Sequence, residues 1–148
     1  MTQLSFHSPV GELTLSEEDG AIVSLDWGWA QDQGTNALLS EARTQVMGYF
    51  DGDKSGFDLV LKPPGTLFQT RVWNAMRNIP FGSTQTYGQI AEALSSSARA
   101  VGNACGANPI PILIPCHRVV AASGLGGYSG EGGLETKQWL LNLEGWRG

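Results

Sequence analysis

The chain has 148 residues, 41% of them hydrophobic and 16% charged. A polypeptide of this length buries roughly two-thirds of its unfolded surface without a disulfide or metal staple, and a charged fraction below the usual ~25% excludes a coiled coil or a disordered chain. No apolar run reaches membrane-spanning length, and the first residues, MTQLSFHSPV, hold neither a basic leader nor an apolar stretch. The expectation is a cytoplasmic protein with no membrane partner.

The net charge of -5 is unevenly spread. Residues 1–65 hold 3 Lys and Arg against 10 Asp and Glu, and residues 66–148 hold 6 against 4. An acidic total argues against nucleic acid, but the mildly basic second part permits it.

In chain order, residues 3–8 and 12–16 alternate weakly around Pro9-Val10-Gly11, and Asp19-Gly20 signals a hairpin into a third strand, Ala21 to Trp27. Gly28 to Gly34 is a loop. Thr35 to Phe50 places Leu38, Leu39, Ala42, Val46 and Phe50 at helical spacing, and Phe57 to Leu61 reads as a short strand. Lys62-Pro63-Pro64-Gly65 is a linker and coincides with the change of charge.

The second part reads as mostly helical. Thr66 caps a helix carrying Phe68, Val72, Trp73, Met76 and Ile79, which stops before Pro80. Tyr87 to Leu94 is a short helix, and Ser95-Ser96-Ser97 caps the next, Ala98 to Ala107. Two short helices on a tight polar turn read as a helix-turn-helix. Ile110 to Ile114 is apolar, residues 123–133 form a mobile loop with six glycines, and Leu134 to Leu143 is a final helix closed by Gly145. The fold class is therefore α+β. A small antiparallel β-sheet plus helix spans residues 1–62, and a mostly helical, winged-helix-like domain spans 66–148.

There are two cysteines, Cys105 and Cys116, and two histidines, His7 and His117. No spacing among them suits a four-ligand zinc site, so no metal is expected. Pro115-Cys116-His117-Arg118 is the sharpest local signal. A thiol beside an imidazole and an arginine, between a rigid apolar segment and a glycine-rich loop, suits nucleophilic catalysis. A buried core thiol fits the same local sequence. Sequence neighbours rarely touch side chain to side chain, so a Cys–His contact calls for a bridging water. The Ser97 to Ala107 helix is thin, with Ala98, Ala100, Gly102, Ala104, Gly106 and Ala107. Glycines this dense are poor helix formers. They allow close approach to a minor groove or close helix–helix packing, and Arg99 is the long side chain among them.

The segment Ile110-Pro111-Ile112-Leu113-Ile114-Pro115-Cys116-His117-Arg118-Val119-Val120 resembles the active-site signature of the O6-alkylguanine-DNA alkyltransferases, the methylated-DNA–protein-cysteine methyltransferases. Phe81-Gly82, Thr86-Tyr87, Ala98 to Gly102, Asn108-Pro109, Tyr128-Ser129-Gly130 and Trp139-Leu140-Leu141 to Glu144-Gly145 follow in the family's order. The resemblance implies a DNA-repair protein that flips O6-alkylguanine out of double-stranded DNA, bound through the minor groove. It moves the alkyl group irreversibly to its own Cys116, once per molecule, as a monomer with no cofactor.

By the same resemblance His117 is the base acting through a water, Glu144 orients it, and Asn108 holds the turn behind the cysteine. Tyr87 donates to the N3 side of the base and the Ser129 segment to O6. The carbonyls of Cys116 and Val119 accept from the exocyclic amine, and Tyr128 and Pro111 complete the substrate pocket. Ser97, Ala98, Ala100 and Gly102 face DNA, and Arg99 fills the gap that the base leaves. Cys105 is expected to be an inert helix residue. Residues 130–133 make the loop about two residues longer than in some relatives, and the recognition helix is less basic than is usual in the family. The rival readings are a cysteine hydrolase and a non-catalytic binder of alkylated DNA.

Overall fold

The computed structural model describes residues 1–128, 130 and 132–146. The chain is α+β and divides into two compact units, Met1–Pro64 and Gly65–Gly148. Among the described residues no helix is long and apolar enough to cross a membrane.

In the first unit, β1 (Thr2–Ser8), β2 (Gly11–Glu18) and β3 (Ala21–Trp27) form an antiparallel sheet in the order β1-β2-β3. The β2–β3 turn places Asp19 and Gly20 at φ 51° and 80°, the positive pair that a two-residue hairpin needs to match strand twist. Leu13, Leu15, Ile22 and Leu25 are buried on the sheet, against Leu39, Ala42 and Val46 of α1 (Ala37–Phe50). Asn36 caps α1 by accepting from the Leu39 amide at 2.9 Å.

The expected strand at Phe57–Leu61 is not formed. The segment makes one parallel bridge, Ile22 to Leu61, with Ile22 N donating to Val60 O and Lys62 N to Ile22 O. Pro63 and Pro64 follow at once, and without N–H groups they cannot extend the ladder.

The second unit begins with α2 (Leu67–Arg77), whose capping box joins Thr66 and Gln69. Its buried face is Val72, Trp73 and Met76, and Trp73 donates its indole N–H to Ala104 O at 2.8 Å. The helix ends two residues before the expected Ile79, because the residue preceding a proline is pushed out of the helical region. A short strand β4 (Gln85–Thr86) leads into α3 (Tyr87–Ala93), with a second capping box between Thr86 and Gln89. Ser97 caps α4 (Ala98–Gly106) by accepting from Ala100 N. A 3₁₀ turn, Cys116–Arg118, runs into β5 (Val119–Val120), and α5 (Leu134–Leu143) closes the unit. β4 and β5 pair in parallel, Gln85 with Val119 and Thr86 with Val120. This pairing, which the sequence did not suggest, ties the start of α3 to the residues just after Cys116.

Candidate active site

The apolar run before Cys116 is fully buried at Ile110 and Ile112 and nearly so at Ile114. Its ends are joined by Asn108, which donates Nδ2 to Ile114 O at 2.9 Å and accepts at Oδ1 from Ile110 N at 2.9 Å. Asn108 therefore closes the loop that presents the cysteine, in addition to ending α4.

Cys116 opens the 3₁₀ turn and lies in the wall of a cavity of about 520 Å³. One side of the cavity is Tyr87 with Ala98, Arg99, Gly102 and Cys105 of α4. Gly127 and Tyr128 of the glycine-rich loop form another. That loop passes close over Tyr87: Gly126 has φ 75°, and a Cβ there would come within 2.7 Å of the Tyr87 ring, so only glycine fits. The Tyr87 hydroxyl is 3.5 Å from Gly127 O.

Behind Cys116 lies a buried charged cluster. His117 Nε2 meets Glu144 Oε2 at 2.6 Å. Arg118 donates Nε to Glu144 Oε1 at 2.7 Å, Nη2 to Oε2 at 3.1 Å and Nη1 to Ile79 O at 2.7 Å. Gly82 N approaches Oε1 at 3.3 Å. Each carboxylate oxygen thus receives two donors, and an ionised carboxylate offers acceptors only. His117 must therefore carry its proton on Nε2, which leaves the lone pair on Nδ1. Burial lowers the His117 pKa, opposed by Glu144, so the resting imidazole is neutral.

Lys137 of α5 is fully buried. Its ammonium donates to Val119 O at 2.6 Å and Gly127 O at 2.9 Å, pinning the glycine-rich loop to the segment after Cys116. It also lies 5.7 Å from the centre of the Tyr87 ring, within cation–π range. Burial lowers its pKa to about 8, and charge on the two cysteines works against that shift. Burial raises the Cys116 thiol, while Asn108 and the Lys137 cation pull it down. Cys105 is pushed up to about 12, chiefly by burial, so that thiol stays protonated. Its sulfur lies 3.4 Å from that of Met76.

Of the residues expected at the site, Cys116, Tyr87, Tyr128, Arg99, Ala98 and Gly102 meet around the cavity. His117, Glu144 and Asn108 gather behind the cysteine. Val119 and Pro111 are buried in the segment that carries Cys116, and the Val119 carbonyl is engaged by Lys137. Ser97 is the exposed cap of α4 and Ala100 is partly exposed. Ser129 lies outside the described residues. A Cβ at Gly102 would meet nothing closer than 4.0 Å, and one at Gly106 nothing within 4 Å. Internal packing therefore does not require glycine at these two positions.

Sequence reasoning missed Lys137, and it missed Arg118 as a partner of Glu144. A signal for Lys137 was present: it shares a helical stripe with Leu140, Leu141 and Glu144, so its stem had to enter the core. Cys105, expected to be inert, faces the same cavity as Cys116.

Comparison with known proteins agrees along the whole chain. Residues 67–146 match the model of the 6-O-methylguanine DNA methyltransferase DNA binding domain, and residues 2–63 that of the ribonuclease-like domain. A methylated-DNA–protein-cysteine methyltransferase of Methanosarcina acetivorans is 39% identical over 95% of this chain and 96% of its own length. The protein of that name from Mycolicibacterium paratuberculosis is 44% identical over 93% and 88%. The crystal structure of Mycobacterium tuberculosis OGT in complex with DNA superposes with a TM-score of 0.87 at 41% identity, covering 97% of this chain and 92% of that one. The chain belongs to the methylated-DNA–protein-cysteine methyltransferase family.

Proposed function

We propose that this protein repairs O6-alkylguanine in double-stranded DNA by moving the alkyl group to Cys116 Sγ, irreversibly and once per molecule. The observation that carries this reading is the pairing of Cys116, on a cavity wall, with the His117–Glu144 hydrogen bond behind it.

The thiol proton passes through one water to His117 Nδ1. The S–C bond forms as the C–O6 bond breaks, and guanine leaves as an anion. Glu144 then faces an imidazolium whose charge it balances, a triad with a water inserted. The Arg118 fork holds Glu144 ionised and oriented. A resting neutral thiol with a neutral imidazole suits this order of events. A free thiol is only a few per cent ionised at pH 7, and burial reduces that here. Nucleophilicity falls with thiol pKa at a slope of about 0.4–0.5. A thiolate of high pKa, formed only as it attacks, is thus a stronger nucleophile than a pre-ionised one. Tyr87, whose hydroxyl burial keeps protonated, donates to the N3 side of the departing base. The Ser129 segment serves O6, and the Cys116 and Val119 carbonyls receive the exocyclic amine. Tyr128 walls the base pocket, and Pro111 supports it from within the Cys116 segment.

A base stacked in a duplex cannot reach this cavity, so it must be extruded, at a cost of a few kcal/mol. We assign α3 and α4 as the helix-turn-helix that performs this at the minor groove. Ser97, Ala98, Ala100 and Gly102 keep the contact face thin, and exposed Arg99 enters the vacated space. The freedom for a Cβ at Gly102 supports an external reason for its small size.

The test is intact-protein mass spectrometry after incubation with O6-benzylguanine, with peptide mapping. One stable benzyl group on Cys116 is expected, with none on C116S and a plateau of one equivalent when substrate is in excess. Turnover beyond one equivalent indicates a hydrolase, and an unmodified wild type indicates a binder. Arg99→Ala should slow single-turnover transfer from a methylated duplex while leaving free O6-benzylguanine unaffected.

A further inference from the structure

Of the non-glycine residues with positive φ, Asp19 and Ser95 sit in exposed turns, where small polar residues tolerate it. Ile112 is different. It is β-branched and fully buried, yet it has φ 73° four residues before Cys116. Leu113 N donates to Pro111 O at 2.9 Å, which closes a three-residue turn centred on Ile112. A γ-turn at positive φ is rare and strained, and a β-branched residue there is an outlier.

A second three-residue turn follows. Cys116 N donates to Ile114 O at 2.8 Å around Pro115, whose φ of -80° and ψ of 69° mark the relaxed, inverse form. Ile114 N donates to Ile110 O at 2.9 Å, and Asn108 clasps Ile110 and Ile114 from outside. The backbone direction at Cys116 is thereby set by Ile114, and that of Ile114 by the turn at Ile112. Strain of this kind persists only where the surroundings over-determine it, and it gathers at functional sites. The chain has 20 glycines and uses none here; an isoleucine at this position both strains the turn and packs it in place.

We propose that Ile112 is a positioning residue for Cys116: its left-handed turn, buried and clasped by Asn108, holds the nucleophile in the direction of attack. This rests on the alkyl-transfer reading above. Misplacing a reacting atom by about 1 Å can cost on the order of 100-fold in rate, so a partial loosening should cost about tenfold.

The test compares Ile112→Ala with Ile112→Gly. Both lose the side chain, but alanine keeps the conflict at positive φ and glycine removes it. The glycine variant should melt a few degrees above the alanine variant. It should take the benzyl group from O6-benzylguanine about tenfold more slowly, and its Cys116 should react faster with iodoacetamide, which needs no directed approach. Ile112→Val, which keeps the branch and most of the packing, should stay within about twofold of wild type. Equal transfer rates in the glycine and alanine variants, or a glycine variant that melts lower, overturn the proposal. If neither truncation folds, hydrogen exchange on the wild-type chain decides. The Leu113, Ile114 and Cys116 amides should exchange only with the slowest core amides, and rapid local exchange refutes a rigid bracket. A wild type that takes no benzyl group defeats the alkyl-transfer reading, while melting, iodoacetamide and exchange still judge the role of Ile112.

Discussion

Both units of the chain bury polar side chains, but of different kinds. In the first unit they are hydroxyls: Ser5, Thr14 and Ser16. Ser5 Oγ lies 2.7 Å from Thr14 Oγ1 and accepts from Ala30 N and Gln33 Nε2, while Thr14 donates to Gly28 O. The Thr14 proton is committed to that carbonyl, so Ser5 must donate to Thr14. In the second unit the buried polar side chains include His117, Arg118, Lys137 and Glu144. Neutral groups satisfied this way have no charge state to change and serve to fasten the loop at residues 28–34. Buried ionisable groups cost far more to desolvate. They gather around the 3₁₀ turn that presents Cys116 to the cavity. The kind of polar group that is buried therefore distinguishes fastening from chemistry in this chain.

The largest effect that tests this contrast is expected at Lys137. Lys137→Met keeps the stem and removes the ammonium, so Val119 O and Gly127 O lose their donor and the Cys116 thiolate loses a cation. Single-turnover transfer should fall about 100-fold, in line with a misplaced and electrostatically weakened site. Stability should fall by about 1–3 kcal/mol, because the buried Val119 carbonyl is left without its donor, a loss partly offset by no longer burying an ammonium. The pH dependence has a definite sign. The folded pKa of about 8 lies below the ordinary lysine value of 10.5. Between these values the unfolded chain holds a proton that the folded chain releases, so wild type gains stability with rising pH relative to the variant. Urea midpoints of both proteins at pH 7.5 and 9.5 check this. A flat difference places the ammonium in water.

Much of this was legible in the sequence, and the reasons differ by element. The Asp19-Gly20 turn, the caps Thr66 and Ser97, and the span Leu134–Leu143 depend on local chemistry, and local chemistry is written in neighbouring residues. The β4–β5 pairing and the Lys137 contacts depend on residues far apart in the chain, and no periodicity encodes them. Cys116 and His117 stood out as a motif. What keeps the His117 ring neutral is burial, and what fixes its tautomer is the double occupation of each Glu144 oxygen; only the folded chain displays either.

A smaller effect is expected from Glu144→Gln. The amide cannot balance an imidazolium, and its NH₂ would face donors from His117 and Arg118 or from Gly82. Transfer at pH 8 should slow about tenfold, which corresponds to roughly 1.4 kcal/mol. In wild type the rate should fall with acid only below pH 6.5, since burial lowers the His117 pKa. In that range the unfolded chain takes up a proton that the folded imidazole refuses, so stability also declines as pH falls. Removing Glu144 removes the group that raises His117, so the acid limb of the rate profile should shift lower still. A profile that shifts upward, or a rate unchanged in folded protein, assigns Glu144 to helix-end packing instead.

The smallest effect on chemistry, and the one that closes the contrast from the other side, is expected at Ser5. Ser5→Ala removes the acceptor for Ala30 N and Gln33 Nε2 and the donor to Thr14. Gln33 and Ala30 are exposed or half-buried and can turn to water, whereas Thr14 Oγ1 keeps its bond to Gly28 O. The loss should therefore be that of one well-made network rather than of a stranded charge, about 1–2 kcal/mol. For a chain of this size that is a drop of about 3–6 °C in melting temperature. Proteolysis at residues 28–34 should quicken, because the Ser5 hydroxyl is one of the groups that fasten that loop, beside Thr14 and the backbone bonds at Gly28 and Gly34. The rate of benzyl transfer should not change, since no ionisable group of the second unit depends on Ser5 for its charge. A transfer rate that falls in step with stability would show that the neutral network also governs the chemistry, and the distinction between the two kinds of buried polar group would fail.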